Sequence, residues 1–220
     1  MYRFVASSKL KIAGIIKDRM EIIAALVKKD DRVLDLGVVD SRRGKHETEA
    51  RLSKKLPNSL FHKLHQLNPS CIGVDIDEEG VEILRAQGFD ARYGDVITMD
   101  LGESFDTIVA GEIIEHLPDA GQFLRNMAKH LKPQGNLIIT TPNPFYSKQA
   151  WKIWRYNAPQ VHEEHVCWFD PITLSHLCRL SGLDPYRIYW VQPRLHFKAL
   201  PSKLRSFFSH SFLIVARRAS

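Results

Sequence analysis

Three aspartates hold equivalent places in the sequence, each close to the end of a short apolar run. Asp35 and Asp75 lie at the ends of the first two runs, and Asp95 lies just beyond the third. A buried strand that ends in a carboxylate is costly unless that carboxylate has hydrogen-bond partners. A carboxylate after the second strand is well placed to accept from both hydroxyls of a ribose. With Gly37 allowing close backbone approach, the pattern predicts a site for a nucleoside-containing ligand.

A second group combines acids with histidines. Glu112-x-x-Glu115-His116 follows the fourth predicted strand, and His162-Glu163-Glu164-His165 comes later in the chain. If the first segment is helical, its three side chains would lie near one face. Oxygen and imidazole ligands of this kind can hold a divalent metal. The alternative is acid–base chemistry, in which His116 or His165 takes a proton from a hydroxyl nucleophile. The metal and the acid–base interpretations both remain open.

The elements that must position these residues alternate along the chain. Apolar runs predict strands at 32–37, 71–75, 89–93, 105–110, 137–141, 186–191 and 212–216. Between them, helices are predicted at 78–87, 119–131 and 170–180, and a long polar connection with one helix spans 38–70. This alternation indicates an α/β fold with a doubly wound, mostly parallel sheet covered on both faces. Ligands of such sheets bind outside the carboxyl ends of the strands, where the three aspartates fall.

Composition sets the broad class. At 220 residues and 44% apolar content, the chain suits one domain. Residues 1–30 are expected to pack on it through an amphipathic helix at 8–27, and the main domain spans 31–220. No run approaches the roughly 20 apolar residues that cross a bilayer. The three cysteines include no CxxC pair, so a disulfide framework or structural zinc site is not expected. We therefore expect a cytoplasmic protein.

The net charge of +6 is concentrated at the C-terminal end. Residues 185–220 carry seven lysines and arginines and no acid, and apolar side chains are interleaved among them at 193–210. Such a segment can lie on an anionic membrane surface, which predicts peripheral membrane contact through the basic C-terminal region. The competing interpretation is a structural link between the last two strands.

Five segments in order resemble the motifs of class I S-adenosylmethionine-dependent methyltransferases, in particular the group of ubiquinone-pathway and polysaccharide O-methyltransferases. They are Val33-Leu34-Asp35-Leu36-Gly37, Gly73-Val74-Asp75-Ile76-Asp77, Gly94-Asp95, Phe105-Asp106-Thr107-Ile108-Val109 and Leu131-Lys132-Pro133-Gln134-Gly135. The resemblance implies a Rossmann-like seven-stranded sheet with an antiparallel last strand. It also implies S-adenosyl-L-methionine as the cofactor.

The resemblance assigns a role to each matching position. Asp35 and Gly37 would lie against the methionine part of the cofactor, and Asp75 would hold the ribose hydroxyls. The other implied positions are Ile76 beside the adenine, Asp95 at its amino group, Val96 against the ring, and Gly111 and Glu112 beside the methyl-transfer site. One departure stands out, because Val39 and Ser41 occupy positions where the family has glycines. Either this loop follows a different path or cofactor binding is impaired.

The resemblance favours O-methylation of a small-molecule, glycan or lipid-linked hydroxyl. An RNA 2′-O-methyltransferase is the alternative, since the E-x-x-E-H run also resembles the metal site of small-RNA methyltransferases. It is less favoured because no stretch resembles a common RNA-binding module. A non-catalytic scaffold with the same fold is the third hypothesis. The aromatic stretch that contains Trp151 and Trp154 is interpreted either as a substrate lid or as the core face of a short helix.

Overall fold

The computed structural model describes residues 12–39, 49–191, 204 and 206–219. Within these residues, eight strands form one sheet: β1 (Ile12–Ile16), β2 (Val33–Leu36), β3 (Ile72–Asp75), β4 (Ala91–Tyr93), β5 (Phe105–Gly111), β6 (Leu131–Pro142), β7 (Leu183–Val191) and β8 (Ser211–Arg218). The strand order is β1-β7-β8-β6-β5-β2-β3-β4. Every neighbouring pair is parallel except those of β8, which runs antiparallel to both β6 and β7.

Helices connect these strands: α1 (Met20–Leu26), α2 (Glu49–Lys55), α3 (Leu60–Leu67), α4 (Glu78–Ala86), α5 (Ala120–His130), α6 (Ser147–Tyr156) and α7 (Pro171–Leu180). Side chains fix several helix starts by accepting backbone N–H groups that have no partner inside the helix. Asp77 and Asp119 do so for α4 and α5. At α7, Asp170 and Thr173 form a capping box.

Two apolar clusters cover the two faces of the sheet. The inner side chains of β5 and β6 alternate between them, as the period of a strand requires. One cluster contains Phe105 and Phe123, and the other contains Phe61 and Leu64; all four side chains are fully buried. The sheet is thus covered on both sides, which confirms the predicted doubly wound α/β class and leaves the carboxyl ends of the strands as the accessible edge.

The strand count and the N-terminal segment differ from the prediction. Residues 8–27 were expected to form one amphipathic helix. Among the described residues 12–27, however, Ile12–Ile16 is an additional, eighth strand and only Met20–Leu26 is helical. Gly14 and the β-branched isoleucines on either side of it disfavour a helix and suit a strand. The edge of β7 offers that strand a parallel partner. Asp18 then starts α1 by accepting the N–H of Met20 at 2.8 Å.

The connection between β2 and β3 contains two helices, α2 and α3, where one was expected. Most of the basic, apolar segment at 193–210 lies outside the described residues, so its predicted membrane contact stays a prediction. No helix in the described part of the chain is long and apolar enough to span a membrane.

Candidate active site

A cavity of about 1450 Å³ opens at the carboxyl edge of β2, β3 and β5. All ten residues to which the sequence analysis assigned a cofactor-binding or catalytic role line this cavity: Asp35, Gly37, Asp75, Ile76, Asp95, Val96, Gly111, Glu112, His116 and His165. Pockets for a single small ligand usually measure about 300–1,000 Å³. The cavity therefore has room for a cofactor and an acceptor together, although the individual roles of these ten residues stay predictions.

The end of β2 makes a tight turn into the cavity. Gly37 has φ +74°, a conformation that side chains rarely adopt, and its N–H donates to the carbonyl of Val74 at 2.9 Å. Asp35 is 2% exposed, and its burial raises the pKa of its carboxyl from the usual 3.8 to about 8, against the opposing charge of Arg19. The turn thus brings bare backbone and a buried acid to the cavity wall.

Arg19, just before α1, is a site residue that the sequence reasoning missed. Its guanidinium lies 3.1 Å from the position that a Cβ on Gly111 would occupy, and it donates to Thr140 Oγ1 at 3.4 Å. Its charge favours the ionised forms of both Asp35 and Glu115. The sequence places Arg19 between Asp18 and an apolar helical segment, a position just before a helix. This position was not recognised because residues 8–27 were interpreted as one continuous helix. Arg19 brings a positive charge to the cavity beside the β2 turn.

Asp75 organises the loop in which the expected glycines are missing. Its Oδ2 accepts the N–H of Val39 at 2.8 Å, and its Oδ1 accepts the N–H of Asp77 at 3.0 Å. Burial raises the pKa of Asp75 despite these hydrogen bonds. Val39 does not have a positive φ, so its β-branched side chain is compatible with the path of this loop. Ser41 lies outside the described residues.

The turn that follows β4 forms another part of the cavity wall. Asp95 Oδ1 accepts the N–H of Ile97 at 2.9 Å, and the side chain of Asn126 donates to the carbonyl of Val96 at 3.1 Å. Ile76 is 66% exposed although it is apolar, and it also lines the cavity. An exposed aliphatic side chain in a concave wall suits the face of a flat ring.

The acid and histidine group comes together only in part. Glu112 has φ +58°, and only Ile114–His116 forms a short 3₁₀ turn, so the expected helical face that would include Glu112 is absent. His165 reaches His116 across the intervening chain, with ring centroids 4.7 Å apart. The N–H of Val166 donates to the carbonyl of Glu115 at 2.9 Å, which fixes this approach.

Burial shifts the pKa values of two members of this group. The pKa of Glu115 rises from 4.5 to about 7, mainly because the carboxyl is buried, and the nearby charge of Glu112 adds to the rise. The pKa of His165 falls, first through burial and then through repulsion by His116 and His162. The group thus places an acid and imidazoles at the end of the cavity near β5.

The aromatic stretch forms α6, which has no buried residue. Trp151 and Trp154 are 57% and 80% exposed, so their interpretation as the core face of a helix is wrong. The helix lies in sequence between Pro142 and His162, both of which line the cavity. A role as a substrate lid stays a prediction.

The geometry fits S-adenosylmethionine. The bare turn at Gly37 and the charge of Arg19 suit an amino-acid group, buried Asp75 suits ribose hydroxyls, and exposed Ile76 suits a purine face. These groups follow one another along the cavity wall in the strand order β2, β3. The acid and histidine group lies beyond them, on the β5 side.

Comparison with known proteins gives relatives in one family. A family model described as "Methyltransferase domain" matches residues 10–187. The ubiquinone biosynthesis O-methyltransferase of Bartonella bacilliformis is 33% identical over 102 residues, 43% of this chain and 39% of that protein. The mitochondrial ubiquinone biosynthesis O-methyltransferase of Homo sapiens is 33% identical over 161 residues, 60% of this chain and 42% of that protein. The chain spans about two fifths of the length of these relatives.

Solved structures share the fold at low identity. A SAM-dependent methyltransferase from Archaeoglobus fulgidus superposes with a TM-score of 0.59 and 17% identity, covering 91% of each chain. The magnesium protoporphyrin IX methyltransferase of Synechocystis, solved with bound SAH, gives a TM-score of 0.57 at 14% identity, covering 91% of this chain and 78% of that one. Because the family model covers most of the sequence, this chain belongs to the class I S-adenosylmethionine-dependent methyltransferases.

Proposed function

We propose that the protein methylates a hydroxyl group of a small-molecule acceptor, with glycans and lipid-linked molecules included in that class. The observation that carries this proposal is the approach of His116 and His165 at the end of the cavity beyond the predicted cofactor wall. A neutral hydroxyl is a weak nucleophile, and its attack is helped by groups that draw off its proton. The likeness to ubiquinone biosynthesis O-methyltransferases supports an oxygen acceptor.

S-adenosylmethionine supplies a methyl group on a positively charged sulfur, and its transfer to a hydroxyl oxygen releases S-adenosylhomocysteine and one proton. The protein's contribution is alignment and control of that proton. Asp75 would hold the ribose, and Arg19 would pair with the carboxylate of the methionine part. His116 and His165 would meet the acceptor hydroxyl and draw off its proton.

Peripheral membrane contact belongs to the same proposal, for a lipid-linked acceptor. Helix α6 is supporting evidence, because it exposes Trp151 and Trp154 beside Lys148, Lys152 and Arg155 and contains no acid. Tryptophans with an adjacent basic face are typical of helices that lie in a membrane interface. An RNA acceptor and a non-catalytic scaffold remain the competing functions.

Calorimetry and a labelled-methyl assay test the proposal in order. Wild-type protein should bind S-adenosylmethionine, and Asp75→Ala should weaken binding by about 2–3 kcal/mol, as expected for a hydrogen bond to a charged group. Asp184→Ala, a change at an exposed site on β7, is the matched control. No binding to the wild-type protein at about millimolar cofactor would favour the scaffold.

Transfer from labelled cofactor is then measured on cell lysate separated into lipid, glycan and RNA fractions. We expect label in the lipid or glycan fraction, and its loss with His165→Ala. Label confined to RNA would replace the small-molecule proposal with RNA methylation.

A further inference from the structure

The segment at 95–101, which follows β4, is held in part by its own backbone. The carbonyl of Asp95 accepts the N–H groups of Thr98 and Met99 at 3.0 and 2.8 Å. Asp95, Val96 and Ile97 line the cavity, and the family resemblance places the first two at the adenine. These hydrogen bonds do not use the carbonyls of Val96 and Met99, which need partners from another part of the fold.

One buried side chain of α5 binds both of these carbonyls. Asn126 is 6% exposed, and its amide nitrogen donates to the carbonyl of Val96 at 3.1 Å and to that of Met99 at 3.0 Å. A side-chain amide has two N–H donors, and both are used here. A single side chain thereby fixes the distance between two carbonyls that lie three residues apart in the 95–101 segment.

His130, at the last position of α5, holds the end of the same segment. It is 4% exposed; its Nε2 accepts the N–H of Leu101 at 3.1 Å, and its Nδ1 lies 3.0 Å from the carbonyl of Asn126. An imidazole nitrogen that accepts carries no proton, so the proton is on Nδ1 and is donated to that carbonyl. The carboxylate of Asp100 lies 3.8 Å from the same Nε2, beyond hydrogen-bond distance. The neutral imidazole thus joins the end of the segment to the backbone of α5.

We propose that Asn126 and His130 are positioning residues that set the selectivity of the cavity for adenine. Neither is among the described residues that line the cavity, so they would act through the 95–101 segment. By fixing the carbonyl of Val96, Asn126 would hold the side chains of Asp95 and Val96 where the base binds. A carboxylate held there accepts a hydrogen bond from the 6-amino group of adenine and repels the carbonyl oxygen of a 6-oxopurine. The proposal rests on the cofactor and not on the acceptor that is methylated.

The selectivity is measured by calorimetry with two ligands that differ at one position of the base. S-adenosylhomocysteine has a 6-amino group, and S-inosylhomocysteine has a carbonyl oxygen there. Wild-type protein should bind the first at least about tenfold more tightly, a factor that corresponds to about 1.4 kcal/mol. Asp95→Asn should lose most of this preference, because an amide can also donate to the carbonyl oxygen.

Variants of the two positioning residues should lose part of the preference without touching the ligand. Asn126→Ala should reduce it to roughly threefold, a loss of about 0.7 kcal/mol. His130→Phe removes the acceptor for the Leu101 N–H and should act in the same direction. His130→Gln supplies an amide oxygen as acceptor and should retain more of the preference than His130→Phe. A residue that only filled space would show no such rescue.

Two control variants of α5 separate positioning from general destabilisation. Leu124→Ala shortens a fully buried apolar side chain of the same helix, and Lys129→Ala changes an exposed one. Both should keep the wild-type preference, although Leu124→Ala should lower the melting temperature through the cavity that it creates. Nitrogen chemical shifts of the His130 ring, measured by nuclear magnetic resonance, should show the tautomer with the proton on Nδ1. The opposite tautomer would remove His130 from the proposal.

The proposal is overturned if Asn126→Ala keeps the full preference, or if Leu124→Ala loses as much of it. It is also overturned if wild type shows no preference or if Asp95→Asn behaves as wild type, because the base then lies elsewhere. None of these measurements uses an acceptor. The expected preference without methyl transfer to any lysate fraction would leave this inference standing and remove the proposed O-methylation.

Discussion

The side chain of Val39 occupies the space directly above Gly80. A Cβ atom on Gly80 would lie 2.4 Å from Val39 Cγ1, which is closer than real Cβ contacts. Val39 replaces a glycine that the family resemblance leads one to expect, and Gly80 on α4 is the residue that makes room for it. The same valine donates its N–H to Asp75 Oδ2. The pair therefore links the unusual loop to the carboxylate predicted to hold the ribose.

Gly80→Ala should weaken cofactor binding although Gly80 is not expected to touch the cofactor. The added methyl group would displace Val39 and with it the hydrogen bond to Asp75, costing roughly 1–3 kcal/mol of folding stability by overpacking. Isothermal calorimetry and denaturant unfolding measure the two effects. The double variant Val39→Ala/Gly80→Ala should recover part of both losses, since the contact at 2.4 Å is removed and only the 3.1 Å approach of the two Cβ atoms remains. If the double variant is as impaired as Gly80→Ala, the coupling through Val39 is wrong.

Arg19→Met should weaken binding of S-adenosylmethionine by about 1.5–3 kcal/mol, because a charge-assisted contact with the methionine carboxylate is lost. The informative comparison is 5′-methylthioadenosine, which retains the adenosine and the sulfur but has no amino-acid part. Its affinity should hardly change. Equal losses for both ligands would show that Arg19 shapes the cavity in general and does not recognise a carboxylate.

Much of the fold could be predicted because its signals are local. Apolar runs predicted β2, β3, β5 and β6, and a glycine or proline marks the end of each of them except β3. Asp170 followed by Pro171 predicted the start of α7. The strand at Ile12–Ile16 could not be assigned from its sequence alone. A short apolar segment takes the conformation that its neighbours allow, and its partner β7 lies at the other end of the chain.

The candidate site was predictable where it depends on strand ends and not where it depends on distant contacts. Asp35 and Asp75 reach one cavity because parallel strands end at the same edge. Glu112 does not join the predicted helical face because its backbone is left-handed. Arg19 lines the cavity because α1 begins directly after it. Neither signal is visible in residue spacing.

Helix α6 should contribute to binding of anionic vesicles. Trp151→Ala/Trp154→Ala should reduce sedimentation with such vesicles at low salt, because these exposed rings would enter the interface while the adjacent basic residues meet lipid headgroups. Folding stability should change by no more than about 0.5 kcal/mol, as is usual for surface positions. Leu180→Ala removes a comparably exposed apolar side chain on α7 and is the control. Wild-type protein that stays in the supernatant with anionic and neutral vesicles alike would contradict membrane contact.

Asp35→Asn should stabilise the cofactor-free protein, and increasingly so as the pH rises. Burial raises the pKa of Asp35 from 3.8 to about 8, so between these values the folded state holds a proton that the unfolded state has released. Stability of the wild type therefore falls as the pH rises through this window, by up to about 1.4 kcal/mol per pH unit from this group. Asparagine does not titrate, so the folding stability of the variant should rise relative to that of the wild type as the pH increases through this window. Below the window the two stabilities should differ little.

Melting temperatures measured at about pH 5 and about pH 8 test this difference, with Asp184→Asn at an exposed position as the control that should show no pH-dependent gain. An equal difference in melting temperature between Asp35→Asn and wild type at both pH values would contradict a raised pKa of Asp35 as the cause. A difference in melting temperature that is larger at about pH 8 would mean that ionisation of Asp35 in the β2 turn destabilises the fold. Residues that serve a functional site commonly lower the stability of a protein in this way. If Asp35 recognises the positively charged amino group of the methionine part, saturating S-adenosylmethionine should reduce the difference in melting temperature between Asp35→Asn and wild type.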